Sequence, residues 1–217
     1  MGNKGDDNDA FIRLIAHDLR TPLTALQLNA QLIERTAIAD GRDKDVRWSR
    51  LIASSARKME HMIQLLVDAE RLRAGRIELA RERIAFAGWL EDWLAGAAPR
   101  GGLPRLKVVA TDRSVVVLAD ARRLQQALLA LVEVAVRSFD EEAPISIEVG
   151  RTAAGLSCSF LGPRLEMAAA DKLSQLTAGH DIEMHYVKAV LEAHGGSLSF
   201  VGSDAVAMGF EVTLPIT

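Results

Sequence analysis

The sequence predicts an α+β protein: a long antiparallel helical hairpin followed by a mixed sheet covered on one face by helices. Three observations carry this. Apolar residues recur at spacings of three and four over 10–39 and again over 48–69. After Gly75 the period changes, and short β-branched runs alternate with short helical stretches. The 217 residues, 49% hydrophobic and 25% charged, can bury a core in one or two ordinary domains.

Residues 1–9 are polar and rich in Gly, Asp and Asn, which is expected of a frayed start or a linker. In the first helix, Ile12, Ile15, Leu19, Leu23, Leu26, Ala30 and Ile33 form the apolar stripe. Pro22 lies inside it and is expected to bend or loosen the turn after His17, because it removes a backbone donor. A polar loop over 40–45 leads to a second helix with Trp48, Ile52, Ser55, Met59, Met62, Leu66 and Ala69 on a heptad stripe. Further apolar residues, including Leu14, Leu28, Leu32, Leu51, Ile63 and Leu65, exceed what one seam covers. Two hairpins paired about a two-fold axis would make a four-helix bundle, so the expectation for 10–75 is a homodimer. The alternative use of these seams is packing onto the chain's own C-terminal half.

The second domain is expected over 76–217. It opens with a strand candidate at 77–81, then a helix at 86–98 with Trp89, Leu90 and Trp93 on one side, then a Gly/Pro-rich loop at 99–104. Runs at 106–110 and 115–118 flank the turn Asp112-Arg113-Ser114 and suggest paired strands. A helix follows over 120–139, with Asp120 as its N-cap. Strands at 145–149 and 156–160, an irregular stretch at 161–179, a helix at 181–193 and strands at 197–201 and 209–214 complete the layer.

The net charge of −3, with both signs interleaved, leaves no electrostatic footprint for nucleic acid and no polybasic membrane patch. Cys158 is the only cysteine, so no disulfide or cysteine-based zinc cluster can form within the chain. No apolar run is long enough to span a bilayer, the start lacks a signal-peptide core, and Asp6 stands where a myristoylation signal needs Ser or Thr. A cytoplasmic location is expected.

The stretch Ala16 to Leu23, AHDLRTPL, is chemically the most informative. His17, Asp18 and Thr21 lie one and four residues apart, near one another on a helix surface. Histidine keeps a neutral nucleophilic nitrogen at neutral pH, and an adjacent carboxylate can hold the ring in one tautomer. The other histidines, His61, His180, His185 and His194, form no metal-ligand spacing with carboxylates and read as structural.

AHDLRTPLTAL resembles the H-box of sensor histidine kinases of two-component systems. Residues 65–75 resemble the exit from that family's second helix, and VKAVLEAHGGSLSF with the final GFEVTLP resembles the end of its ATP-binding domain. The resemblance spans nearly the whole chain. It implies a dimerisation and histidine-phosphotransfer hairpin, forming a four-helix bundle in the dimer, then a Bergerat-type α/β sandwich of the kind shared with gyrase.

Laid on the family's ATP-binding motifs, the chain departs at most positions. Ala130 and Val134 stand where two asparagines are usual, and valine offers no oxygen to Mg²⁺. Glu133 is one residue away, a rotation of about 100° on a helix, and does not simply substitute. The stretch Ser159 to Arg164 keeps Gly162 but lacks the aspartate that accepts from the adenine amino group. In the last motif the glycine positions fall on Gly179, Asp181 and Glu183, so two carboxylates occupy a phosphate-binding turn. A combined deficit of about 4 kcal/mol would remove roughly a thousandfold in affinity. Tight binding of ATP or Mg²⁺ is therefore not expected, and no cofactor is assigned.

What remains implies a histidine phosphotransferase in a phosphorelay. His17 would exchange a phosphoryl group with receiver-domain aspartates of response regulators, Asp18 would orient the imidazole, and Arg20 would face phosphate or receiver charge. Thr21 matches the family position that places water for dephosphorylating a receiver, so a phosphatase role is a near neighbour. An upstream kinase is a further implied partner. Two alternatives stay open: an autophosphorylating kinase with a divergent nucleotide site, and a non-catalytic pseudokinase that sequesters a response regulator.

Overall fold

The computed structural model describes residues 4–97, 106–138, 144–153, 155–163, 182–202 and 207–217. The chain divides into two compact units, Met1–Ala74 and Gly75–Thr217.

The first unit is a hairpin of α1 (Lys4–Ala39) and α2 (Asp43–Arg73). Its turn is set by Gly41 at φ 67°. The amide of Arg42 donates to the Ala37 carbonyl at 2.8 Å and that of Gly41 to Ile38 at 3.2 Å, the paired bonds of a Schellman ending. α1 runs unbroken through Pro22, so the proline ends no helix here. Three polar ties set the antiparallel register: Arg20 to Gln64, Gln27 to Glu60 and Glu34 to Arg50.

The seam between the helices differs from the expected stripe. On α1 it is Ala16, Leu23, Ala30 and Ala37 that are buried, and on one side of α2 Ser49, Ala53, Ala56 and Val67, while Leu65, Ala69 and Leu72 are buried on the opposite side of α2. Small side chains let the two backbones approach closely, so they take the contact. The larger members of the expected stripes, Ile15, Leu19, Leu26, Ile33, Trp48, Ile52 and Met59, stay exposed on the single hairpin. Leu28, Leu32 and Leu51 are exposed as well.

In the second unit, β1 (Glu82–Ala85) pairs antiparallel with β3 (Val116–Ala119), and α3 (Phe86–Ala97) follows β1 directly. The main sheet has the order β2-β4-β5-β7-β6, formed by β2 (Leu106–Ala110), β4 (Ile145–Thr152), β5 (Gly155–Pro163), β7 (Ala207–Leu214) and β6 (Ser197–Gly202). Among the described strands only the β2–β4 pair is parallel. Ile147, Phe160 and Phe210 are cross-strand neighbours, fully buried. Alternation puts Glu148, Ser159 and Glu211 on the opposite face, where the Ser157 hydroxyl donates to Glu211 at 2.7 Å. The helices α4 (Ala121–Ser138) and α5 (Ile182–Ala193) pack together on the apolar side, completing an α+β sandwich.

Three expectations are corrected. Residues 77–81 form no strand, since the Ala80 amide donates to the Asp120 carboxylate at 3.2 Å and the strand begins at Glu82. The runs 106–110 and 115–118 are not a hairpin. The Ser114 amide closes an Asx turn on Asp112 at 2.9 Å, and the chain passes there from the main sheet to the small one. Lastly, β5 continues through Leu161 and Gly162, because β7 is long enough to pair with it. Asp120 does cap α4, accepting from the Arg123 amide at 3.0 Å. Among the described residues no helix is long and apolar enough to cross a membrane.

Candidate functional site

Burial of Ala16 and Leu23 against α2 turns the residues between them outward. The side chains of His17 and Asp18 are 79% and 68% exposed, and His17 Nδ1 lies 3.2 Å from Asp18 Oδ1. With the proton on Nδ1 donated to that carboxylate, the Nε2 lone pair points to solvent as a nucleophile. Thr21 is exposed one turn further on, and Arg20 is exposed between them.

Arg20 is not a free surface cation. Its Nη2 donates to Gln64 Oε1 across the hairpin at 3.2 Å, and Gln64 Nε2 donates to Asp68 Oδ1 at 3.0 Å. The two partners fix which end of the amide faces which helix. Sequence reasoning missed Gln64 and Asp68. Their i,i+4 spacing was the one visible signal, and the link to Arg20 spans 44 residues and exists only once the hairpin register is set.

The positions matched to nucleotide motifs lie in the second unit. Ala130 and Val134 are on α4, one turn apart, Val134 buried and Ala130 half-buried, while Glu133 is exposed. Gly162 is buried in β5 opposite Met208 of β7. Glu183 is half-buried in the first turn of α5. Gly179 and Asp181 lie outside the described residues. α4 and α5 meet directly: Tyr186, fully buried, donates from its hydroxyl to Gln126 Oε1 at 3.1 Å. Neither α4 position offers a side-chain oxygen to a metal, and among the described residues no group of three or more His, Cys, Asp or Glu could hold a metal ion.

Elsewhere, Cys158 is buried in the middle of β5, and burial pushes its thiol well above the usual cysteine range. His61 is exposed on α2 and His185 half-buried on α5, while His180 lies outside the described residues. His194 is 2% exposed at the end of α5, before Gly195 at φ 76°.

Residues 7–75 match the His Kinase A (phospho-acceptor) domain. The chain is 26% identical over 229 residues to an uncharacterized sensor-like histidine kinase, R01002, of Rhizobium meliloti, covering 96% of this chain and 43% of that protein. It is also 26% identical over 229 residues to the histidine protein kinase DivJ of Caulobacter vibrioides, covering 95% of this chain and 37% of that one. The chain thus spans less than half the length of these relatives. Among solved structures, it superposes on full-length ShkA in complex with AMPPNP with a TM-score of 0.72 at 21% identity, over 96% of this chain and 46% of that one. It superposes on histidine kinase ThkA in complex with the response regulator protein TrrA with a TM-score of 0.65 at 16% identity, over 99% of this chain and 64% of that one.

Proposed function

Starting from a chain that carries a His Kinase A phospho-acceptor domain at 7–75 and has the fold of a histidine kinase catalytic core, we propose that it is a two-component signalling protein in which His17 receives and passes on a phosphoryl group. The observation that carries this reading is the outward-facing His17 paired through Nδ1 with Asp18 at 3.2 Å. In that arrangement Asp18 holds the ring, Nε2 attacks phosphorus in line, and the bond to the donor oxygen breaks as the N–P bond forms. Passing the group to a carboxylate of a second receiver reverses the step. Arg20 offsets negative charge on the incoming partner, and Thr21 places water when the receiver phosphate is hydrolysed instead.

The partners in this reading are receiver domains of response regulators, in line with the ThkA–TrrA complex, and an upstream kinase. A second copy of the hairpin covers the exposed Leu19, Leu26, Ile33 and Ile52. Buried Val134, Ala130 and the carboxylate of Glu183 support weak or absent ATP and Mg²⁺ binding, which leaves a receiver aspartate as the phosphoryl source. ShkA, of similar fold, holds a nucleotide analogue, and this favours a second reading: autophosphorylation of His17 from ATP through a divergent site.

The test is to incubate wild type and His17→Ala with a phosphorylated receiver and, separately, with labelled ATP and Mg²⁺. Label reaching wild type from the receiver alone is expected. Label on His17 from ATP moves the conclusion to the kinase. Label on neither, with the receiver still bound by both proteins, overturns the chemistry in favour of a scaffold.

A further inference from the structure

His194 sits where three segments of the second unit meet. Its Nδ1 lies 2.7 Å from the Val190 carbonyl, which only an N–H can satisfy, so this nitrogen donates. Its Nε2 accepts from the backbone amide of Asp120 at 2.9 Å. The ring is thereby specified as neutral, with one tautomer. Asp120 in turn takes the Arg123 amide on Oδ1 and the Ala80 amide on Oδ2. Arg81, next in the chain, donates to the Ala193 carbonyl at 2.7 Å. The segment leading into the unit, the start of α4 and the end of α5 are therefore closed into one polar knot around the imidazole.

We propose that His194 is a proton-sensitive latch: neutral, it ties the start of α4 and the lead-in at Ala80 and Arg81 to the end of α5, and on protonation it releases them. A proton on Nε2 turns the acceptor into a second donor facing the Asp120 N–H, so that amide loses its partner inside the fold. The charged groups facing the ring come from both neighbouring segments. Arg81 on the lead-in and Arg123 on α4 oppose a second positive charge, while the Asp120 carboxylate favours it and is already engaged by two amides. Burial is the largest influence and holds the imidazole below its ordinary value, with Arg81 and Arg123 acting the same way and the Val190 carbonyl and Asp120 opposing. A cleft of about 440 Å³, lined by Glu78, Ala80, Glu82, Asp120 and Arg123 among others, opens beside the knot.

The sign follows from linkage. The unfolded chain binds the proton near the ordinary histidine value of about 6.5 and the folded one only at lower pH. The contribution is complete above that pH and is lost as pH falls below it, with the folding equilibrium constant dropping up to tenfold per pH unit from this group alone.

The experiment uses the full chain. Urea unfolding of wild type and His194→Gln is followed from pH 8 to pH 5, the glutamine keeping an acceptor for Asp120 without titrating. Wild type is expected to lose stability up to tenfold more per unit than the variant below about pH 6.5. Parallel curves overturn the proposal. In parallel, ¹⁵N spectra of histidine-labelled wild type read the ring directly: a neutral Nδ1–H form persisting below pH 6.5 is expected, together with faster amide exchange at Asp120 and Ala80 once it is lost. A ring that titrates like an exposed histidine overturns the proposal even if the variant does not fold.

Discussion

Replacing Leu26 and Ile33 together by alanine tests what covers the hairpin. Both lie on α1 beside the small-residue seam, and they are 46% and 47% exposed on the single hairpin. A fully buried Leu or Ile side chain contributes about 1.5–3 kcal/mol, so the half still open to water leaves about 1 kcal/mol per residue for a partner hairpin to gain. Two residues in each of two protomers give about 4 kcal/mol, which weakens the dimer roughly a thousandfold. Leu28, 56% exposed, is two residues beyond Leu26 and so about 200° around the helix on the outer surface. Its replacement by alanine should leave assembly alone. Sedimentation over a thousandfold concentration range reads both variants against wild type. The reasoning fails if the Leu26/Ile33 variant sediments as wild type does, or if Leu28→Ala dissociates as readily.

Three further outcomes follow from the second unit. A methyl group at Gly209 would overlap the Phe160 carbonyl of the neighbouring strand, so Gly209→Ala should destabilise that unit by roughly 2 kcal/mol or more in urea unfolding, against little change for Gly88→Ala, where the space is open. Asp120→Ala removes a helix N-cap and the acceptor for the Ala80 amide, which should cost about 1–3 kcal/mol; Asp120→Asn should recover part of it, as read by thermal unfolding. Cys158, buried with its thiol pushed up, should resist a thiol reagent at pH 8 for as long as the fold persists and react fully in urea. Fast labelling of native protein would place the residue outside the core.

Much of the architecture is legible in the sequence because it rests on local periodicity and turn chemistry. The two long helices follow from apolar spacing, their turn from Gly41, the α4 cap from Asp120, and the alternating core of β4 and β5 from Ile147, Val149, Cys158 and Phe160. The reactive stretch is legible for the same reason: His17, Asp18 and Thr21 are near neighbours on any helix that contains them. Strand pairing is not local. Runs 106–110 and 115–118 look like a hairpin, yet β2 finds β4 in parallel and β3 finds β1, because an Asx turn redirects the chain between them.

The sequence by itself determined the class of fold, the adjacency of His17 and Asp18, and which side chains stand at the positions matched to nucleotide motifs. Tertiary structure decided which residues close the hairpin: Ala16 and Ala37, outside the expected stripe, join Leu23 and Ala30, since small residues let helices approach. It also decided that Arg20 is held by Gln64, and that His194, at its helix end, accepts from the Asp120 amide. In each case the partners are far apart in the chain, 44 and 74 residues, and hydrogen bonds and close packing depend on distances that only the folded register supplies.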